Sequence, residues 1–516
     1  MKRPPAVAPG SLQRRLQEAE AAWGRKDFAA CLATLESARR LAPANTGIIL
    51  QLGRIHGLRY DYAAAERGFE QARRLAPGKT AMLTAIADHC QNFRNPELAE
   101  RHLQLALAAP DATPATCVKL AELYERLRRL PAAAELVARA LALDPAFPAA
   151  HLVRARLERL AKRIETAETQ LRALLARPIA DTWVHAQAWY ELATILDRQG
   201  NYDEAMTAFL KAKALLQPQA PPYLAELKVF RDRLKVIQAN VSAAQFQRWQ
   251  TEGASLTPPR RLALLCGHPR SGTTLLEQVL DAHPDIVSAE ETDVFLDDAF
   301  GPLRQPFPPD ALMLPVLEGS GPAALQTVRA GYFRAMELSL GQPLAGRRLL
   351  DKNPAHTFLI PAYLRIFPET KFLIALRDPR DVVLSCFMQA HYPLNPVTAA
   401  NLTLAGTAQD YADLMSTWRT FAPLMPNPYL EVRYEDMVAD LESVARKTLD
   451  FLGAPWDATV LGFDAHAQKK MVRSPTYADV TQPVYKRAMG RWRNYQKYLE
   501  PHLATLEPFV KAFGYE

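Results

Sequence analysis

The phrase Ala-Arg-Arg-Leu-Ala-Pro occurs at Ala38 to Pro43 and again at Ala72 to Pro77, 34 residues later. Prolines that close alanine- and leucine-rich stretches fall at Pro43, Pro77, Pro110, Pro145, Pro178 and Pro218, in steps of 34, 33, 35, 33 and 40. A period of this length is one supersecondary unit, too small to bury its own apolar face, so successive units must stack. Each period has room for two amphipathic helices. Ala65 with Phe69, and Ala205 with Phe209, put a small residue one turn before an aromatic on the same helix face, which lets a neighbouring helix approach.

The final unit adds Trp189, Leu192, Ala193 and Leu196. On these residues and this spacing, residues 12–218 resemble a tetratricopeptide repeat (TPR) array of about six units. The resemblance implies an all-α stack of helical hairpins with a concave groove that takes a protein or peptide segment. A support or dimerisation element for the second half is the competing reading. Residues 219–259 open on an amphipathic stretch, end in Leu256-Thr257-Pro258-Pro259, and read as a helical linker.

From residue 260 to 516 the pattern changes. The apolar run Arg261 to Cys266 is too short for a helix; it leads into Gly267-His268-Pro269-Arg270-Ser271-Gly272-Thr273-Thr274 and then into helical periodicity to Ala282. Strand, glycine loop and helix together aim backbone N–H groups at an anion. Further short runs at Arg348 to Asp351, Lys371 to Leu376 and Tyr429 to Tyr434 alternate with helical sequence, which predicts a mainly parallel sheet with ligands at its carboxyl edge. The loop keeps both glycines of G-x-x-x-x-G-K-[ST] but has Thr273 in place of the lysine. That lysine neutralises a triphosphate, so its loss argues against kinase or GTPase chemistry and for a shorter 5′ anion. Ser271, Thr273 and Thr274 hydroxyls and the Arg270 guanidinium are the candidate ligands.

Composition narrows the partners. The 516 residues carry 62 Lys and Arg against 55 Asp and Glu, a net charge of +7 with no basic run interleaved with aromatics, so no nucleic-acid partner is expected. The five cysteines are scattered, without metal-binding spacing, and read as reduced thiols. No apolar run reaches the roughly 18 residues of a membrane span, and the expected location is the cytoplasm. Oligomeric state is not legible.

At Gly267 to Leu275, followed by Leu280-Asp281-Ala282-His283-Pro284-Asp285 and Glu290-Glu291-Thr292, the chain resembles the start of a sulfotransferase domain, most closely that of the tyrosylprotein sulfotransferases. With the segments below, the resemblance runs from Leu262 to Tyr495. It implies a P-loop-like α/β sulfotransferase domain, a co-substrate, 3′-phosphoadenosine 5′-phosphosulfate (PAPS), and no metal. The loop, with Arg270, Ser271, Gly272, Thr273 and Thr274, would hold the 5′-phosphosulfate. Arg377 and Ser385, eight residues apart in Leu376 to Ser385, match the family's 3′-phosphate ligands. Tyr434 matches a tyrosine near the adenosine, and Arg491, in Lys486 to Asn494, a late basic position over the cofactor. Singly, Arg-Asp-Pro-Arg-Asp is a capped helix start and Tyr-Glu-Asp a strand end. In this order after the loop they form one signature.

For the transfer itself, the resemblance makes Glu291 the base, with Glu290 as its control and His356 as the outside candidate. Arg270 and Lys352 would stabilise the bridging oxygen, and Ser474 would assist at the sulfuryl oxygens. His268 reads as a loop side chain. Two departures stand out: Gln389 replaces a basic family residue four positions after the serine, and the stretch from Ser474 to Arg491 is about two residues longer than the family's. The reading is a PAPS-dependent sulfotransferase acting on a hydroxyl acceptor, with peptide or protein tyrosine as the first acceptor to test and the TPR groove recruiting it. The alternative is a TPR scaffold whose second half binds nucleotide without catalysis.

Overall fold

Lys26, Tyr60, Arg94, Arg128 and Lys162 all hold left-handed backbone, with φ between 60 and 66°, and they stand 34 residues apart without exception. A computed structural model describes residues 9–76, 79–390, 393–469 and 487–515, and in it each of these residues ends the first helix of a hairpin. The following residue sends its N–H to a carbonyl five positions back, as Asp27 does to Ala22 (3.0 Å) and Asn95 to Cys90 (2.9 Å). That bond satisfies one of the carbonyls a helix end leaves over. The side chains of Asp27, Asp61 and Asn95 then accept from the N–H groups of Ala30, Ala64 and Leu98 and cap the second helix. One residue closes one helix and opens the next, which fixes the phase of the repeat.

Among the described residues of the unit Met1–Ile195, this turn joins Pro9–Gly24 to Phe28–Leu41, Thr46–Leu58 to Tyr62–Leu75, Thr80–Asn92 to Pro96–Ala108, Pro114–Arg126 to Leu130–Leu143 and Pro148–Leu160 to Ile164–Leu175. A sixth pair, Thr182–Arg198 and Tyr202–Leu216, turns at Gly200. The helical repeat array expected from the period is present.

Phe69 shows how the array is packed. It is fully buried, stacks on Phe93 at 6.2 Å between ring centroids, and lies so close to Gly53 that a Cβ there would come within 2.6 Å of its ring. Truncating so enclosed a ring leaves a cavity the neighbouring repeats cannot fill. Phe69→Ala is therefore expected to cost the array about 3–5 kcal/mol, measured by urea unfolding.

The unit Leu196–Glu516 is built on a five-stranded sheet: β1 (Leu262–Gly267), β2 (Ile286–Glu290), β3 (Arg348–Lys352), β4 (Lys371–Leu376) and β5 (Tyr429–Arg433). The order is β2-β3-β1-β4-β5. Every pairing is parallel, so the mainly parallel sheet expected is parallel throughout. β1, β2 and β3 are buried along their whole length, which is why β1 reads as a continuous apolar run rather than an alternating one. Leu265 pairs with Lys352, Glu290 with Lys352, Gly267 with Ala375 and Leu376 with Arg433. The last residues of all five strands therefore share one edge, and the order reverses direction at β1, where such sheets hold ligands.

One face of the sheet is covered by helix Thr273–Asp281, whose Leu276, Val279 and Leu280 join Ala263 and Leu265 in the core. On the other, Asp351 accepts hydrogen bonds from the hydroxyls of Tyr332 and Tyr363, both 2.7 Å. Burial raises the Asp351 carboxyl to about 6 even though the two tyrosine donors pull it down. Among the described residues no helix is long and apolar enough to cross a membrane.

Candidate active site

The loop after β1 is possible only because β4 runs beside it. At Gly267, φ is 137° and a Cβ would lie 2.4 Å from the Ala375 carbonyl oxygen, so no other residue fits without moving the neighbouring strand. Thr357 fixes the same glycine by donating to its carbonyl (2.6 Å) and accepting from its N–H (2.9 Å). Gly272 is left-handed, and so is Arg270, with φ of 73°. For a side chain as large as arginine that conformation costs about 1–3 kcal/mol, a strain met mostly at functional sites. Ser271, Thr273 and Thr274 are buried where helix Thr273–Asp281 begins, and the first N–H groups of a helix have no partner within it. His268 is buried against Tyr411 and its Nδ1 lies 2.8 Å from the Pro269 carbonyl. Burial pushes its imidazole down to about 4, so it stays neutral as a packed loop side chain.

The second predicted cradle meets the first. Helix Pro379–Phe387 starts two residues beyond β4 and carries Ser385, whose hydroxyl accepts from Arg270 Nε at 3.1 Å. Arg377 follows β4 directly. Its Nη1 donates to the Arg270 carbonyl at 3.1 Å, its Nη2 to the Ala488 carbonyl, and its guanidinium lies 4.9 Å from the centre of the Tyr434 ring. Arg377 Nε is buried and has no hydrogen-bond partner among the described residues. A buried donor left over in this way is costly unless something accepts from it, and a phosphate oxygen is the acceptor that suits a guanidinium best. These residues fit the nucleotide end of a phosphorylated adenosine.

At the ends of β2 and β3 lies a group of three carboxylates around one lysine. Lys352 Nζ is 2.7 Å from Glu291 Oε1, 3.3 Å from Glu277 Oε2 and 3.6 Å from Glu290 Oε1. Lys352 and Glu277 are fully buried, whereas the Glu291 side chain keeps 41% of its exposure. Burial disfavours the charge on Lys352; the attraction of Glu277, Glu291 and Glu290 outweighs it and holds the ammonium charged well above its usual range. Glu291 reaches this position through a left-handed turn, φ 48°, with its N–H donating to the Lys352 carbonyl at 2.7 Å. The strained turn aims its carboxylate back over the lysine, half open to solvent.

Other predicted residues lie elsewhere. His356 is buried in the opposite core, 3.1 Å from the Tyr363 hydroxyl, and burial pushes it down to about 3. Arg491 pairs with Asp197, Nη2 to Oδ2 at 2.7 Å. Its neighbours Gly490 and Trp492 donate their N–H groups to Asp381, one turn after Arg377, at 2.7 and 2.8 Å. Ser474 lies outside the described residues. Beside Gln389, whose carbonyl accepts from it at 3.2 Å, stands the buried Lys213. Burial pushes its ammonium down to about 7.

Glu277 and Asp381 belong to the site's construction and escaped the sequence reading. The signal for Glu277 was available: a lone carboxylate in Thr-Thr-Leu-Leu-Glu-Gln-Val-Leu, a helix with no solvent face once the sheet covers it, must be met by a cation. Asp381 reads as a helix-start acid, and its two backbone donors come from more than a hundred residues away.

Residues 263–458 match the sulfotransferase family and residues 186–217 the tetratricopeptide repeat. The chain is 26% identical over 279 residues to protein-tyrosine sulfotransferase A of Caenorhabditis elegans, covering 51% of this chain and 69% of that one. It is 26% identical over 354 residues to an uncharacterised protein of Aquifex aeolicus (strain VF5), covering 66% of this chain and 44% of that protein, so it spans less than half of that relative's length. Among solved structures, the sulfotransferase domain from the Synechococcus PCC 7002 olefin synthase is 23% identical, with a TM-score of 0.34, over 46% of this chain and 88% of that one.

Proposed function

We propose, for a chain that carries a sulfotransferase-family domain in its second half and tetratricopeptide repeat in its first, that it transfers a sulfuryl group from PAPS to a hydroxyl on a peptide or protein acceptor. The observation that carries the reading is the contact of Arg270 with both Ser385 and Arg377, partners 115 and 107 residues away in sequence. Two motifs that read separately in the sequence thus meet at the carboxyl edge of the sheet, which supports one donor held by both.

PAPS would supply an activated sulfuryl group on a 5′-phosphate. Arg270 and the Ser271 to Thr274 loop would hold that phosphate, and Arg377 and Ser385 the 3′-phosphate, with Tyr434 beneath the guanidinium. The half-exposed Glu291 carboxylate takes the acceptor hydroxyl's proton, and Lys352 keeps positive charge beside the point of transfer. Ser474 and Arg491 are assigned by resemblance alone, at the sulfuryl oxygens and over the nucleotide. The array at residues 12–218 recruits the acceptor, and the cytoplasm is the proposed location.

The experiment is transfer of radiolabelled sulfate from PAPS into tyrosine peptides and into a lysate of the source organism. Label is expected on an acceptor, with 3′-phosphoadenosine 5′-phosphate competing and ATP with magnesium not. Tight binding of that nucleotide with no transfer to any acceptor would favour a non-catalytic scaffold, and displacement by ATP with magnesium would overturn the donor assignment.

A further inference from the structure

Glu277 is a carboxylate with a cost. It is fully buried on helix Thr273–Asp281, one turn after Thr273 of the phosphate loop, and its Oε2 lies 3.3 Å from Lys352 Nζ. A buried ion pair of this kind adds little to stability over a pair of apolar side chains of the same size, so its presence points to what the charges do.

Lys352 stands between two kinds of carboxylate. On its buried side are Glu277 and Glu290, and on its open side is Glu291 at 2.7 Å. A lysine alone beside Glu291 would hold that carboxylate ionised and make it a poor acceptor of protons. Negative charge behind the ammonium offsets this. Asp351, next to Lys352 on β3, takes no part, because its carboxylate faces the other side of the sheet and accepts from Tyr332 and Tyr363. His356, beyond it, is packed against Phe295 and Tyr363.

We propose that Glu277 is a positioning residue of the transfer site, acting through Lys352: it anchors the ammonium from the phosphate-loop helix and balances its charge so that Glu291 remains basic enough to accept the acceptor's proton. This inference rests on the sulfuryl-transfer reading above. Because Thr273 and Glu277 share one helix face, the same carboxylate also ties the loop that holds the donor to the strand end that holds the ammonium. Donor cradle and base are thereby kept in register by one buried contact.

The test is Glu277→Gln, which keeps the shape and removes the charge. Activity depends on ionised Glu291, so turnover rises with pH as that carboxylate loses its proton. Removing the negative charge of Glu277 makes the ionised form of Glu291 easier to reach, and the acid limb of the turnover profile is expected to move down by about one pH unit. A weaker base also lowers the plateau by about tenfold. Affinity for 3′-phosphoadenosine 5′-phosphate should stay within about twofold, since Arg377 and Ser385 are untouched. A limb that stays in place, moves up, or moves together with a loss of nucleotide affinity overturns the proposal.

Should Glu277→Gln fail to fold, Glu277→Asp draws the carboxylate back by one methylene and should move the limb in the same direction by less; an unmoved limb again overturns the idea. Independently of activity, a cycle of Glu277→Gln, Lys352→Met and the double variant, followed by urea unfolding, should show a coupling of about tenfold or more in the folding equilibrium, and additive effects would count against the contact. A wild type that transfers no sulfate sinks the functional reading first. Coupling in that inactive protein would leave Glu277 a structural counter-ion and end its role in transfer.

Discussion

Replacing Glu291 with glutamine is expected to lower turnover about 10²- to 10⁴-fold, the range a positioned general base supplies, while 3′-phosphoadenosine 5′-phosphate binds as before. The two effects separate because the groups are separate. Glu291 touches Lys352 at the ends of β2 and β3, whereas the proposed nucleotide cradle, Arg377, Ser385 and the Arg270 loop, lies at the end of β4. Lys352 would keep Glu277 and Glu290, so the variant leaves no unpaired buried charge behind, and folding should be unaffected. Glutamine also tolerates the left-handed turn no worse than glutamate does. Single-turnover sulfate transfer and calorimetric nucleotide titration, run on the same preparation, measure the two quantities. A variant that loses nucleotide affinity in step with turnover removes Glu291 from the role of base.

Arg377→Ala is expected to act the other way, weakening nucleotide binding by about 2–5 kcal/mol, which is roughly 30-fold to a few thousandfold in Kd. The size follows from what the guanidinium does. It is buried, it donates to the carbonyls of Arg270 and Ala488, it covers Tyr434, and its Nε–H meets no acceptor among the described residues. Alanine removes the anion's partner and the brace that links the loop to the Ala488 backbone. Lysine should rescue little, because a single ammonium cannot make paired bonds to a phosphate while also reaching both carbonyls. Calorimetric titration of Arg377→Ala and Arg377→Lys reads the effect; affinity within about threefold of wild type in the alanine variant would show that the 3′-phosphate is held elsewhere.

Much of this architecture is legible in the residues, for identifiable reasons. The array follows from the spacing of Pro43 to Pro218, because a repeated unit repeats its breakers. The left-handed turns at Lys26, Tyr60, Arg94, Arg128 and Lys162 are more regular than the prolines, yet they were not visible, because the conformation usually marked by glycine is held here by four basic residues and a tyrosine. β1 and β4 read as apolar runs because they are buried on both faces. The strand order could not be read, since pairing in a parallel sheet joins segments far apart in sequence and leaves no local trace.

The site divides along the same line. Arg270, Arg377, Ser385, Lys352 and Glu291 lie in compact motifs whose residue types suit an oxyanion and a proton. Glu277, Asp381 and Asp197 acquire their roles only from partners 75, 109 and 294 residues distant, and a carboxylate on a helix announces no such partner. Arg491 shows the limit most plainly, because its neighbours are fastened to helix Pro379–Phe387 while its own guanidinium is paired with Asp197.

Two aspartates give that last pairing a practical meaning. Asp197 holds Arg491 and the Tyr495 hydroxyl, and Asp203 holds Lys497 and the Tyr498 hydroxyl, so the C-terminal segment that follows Ala488 leans on side chains drawn from the closing hairpin of the repeats. A transferase fragment cut out at Pro218 would discard both aspartates and Lys213 in one stroke, leaving two cations and two phenols with nothing to grip. The smallest piece that can be excised intact is therefore set by these carboxylates, and it begins upstream of Asp197.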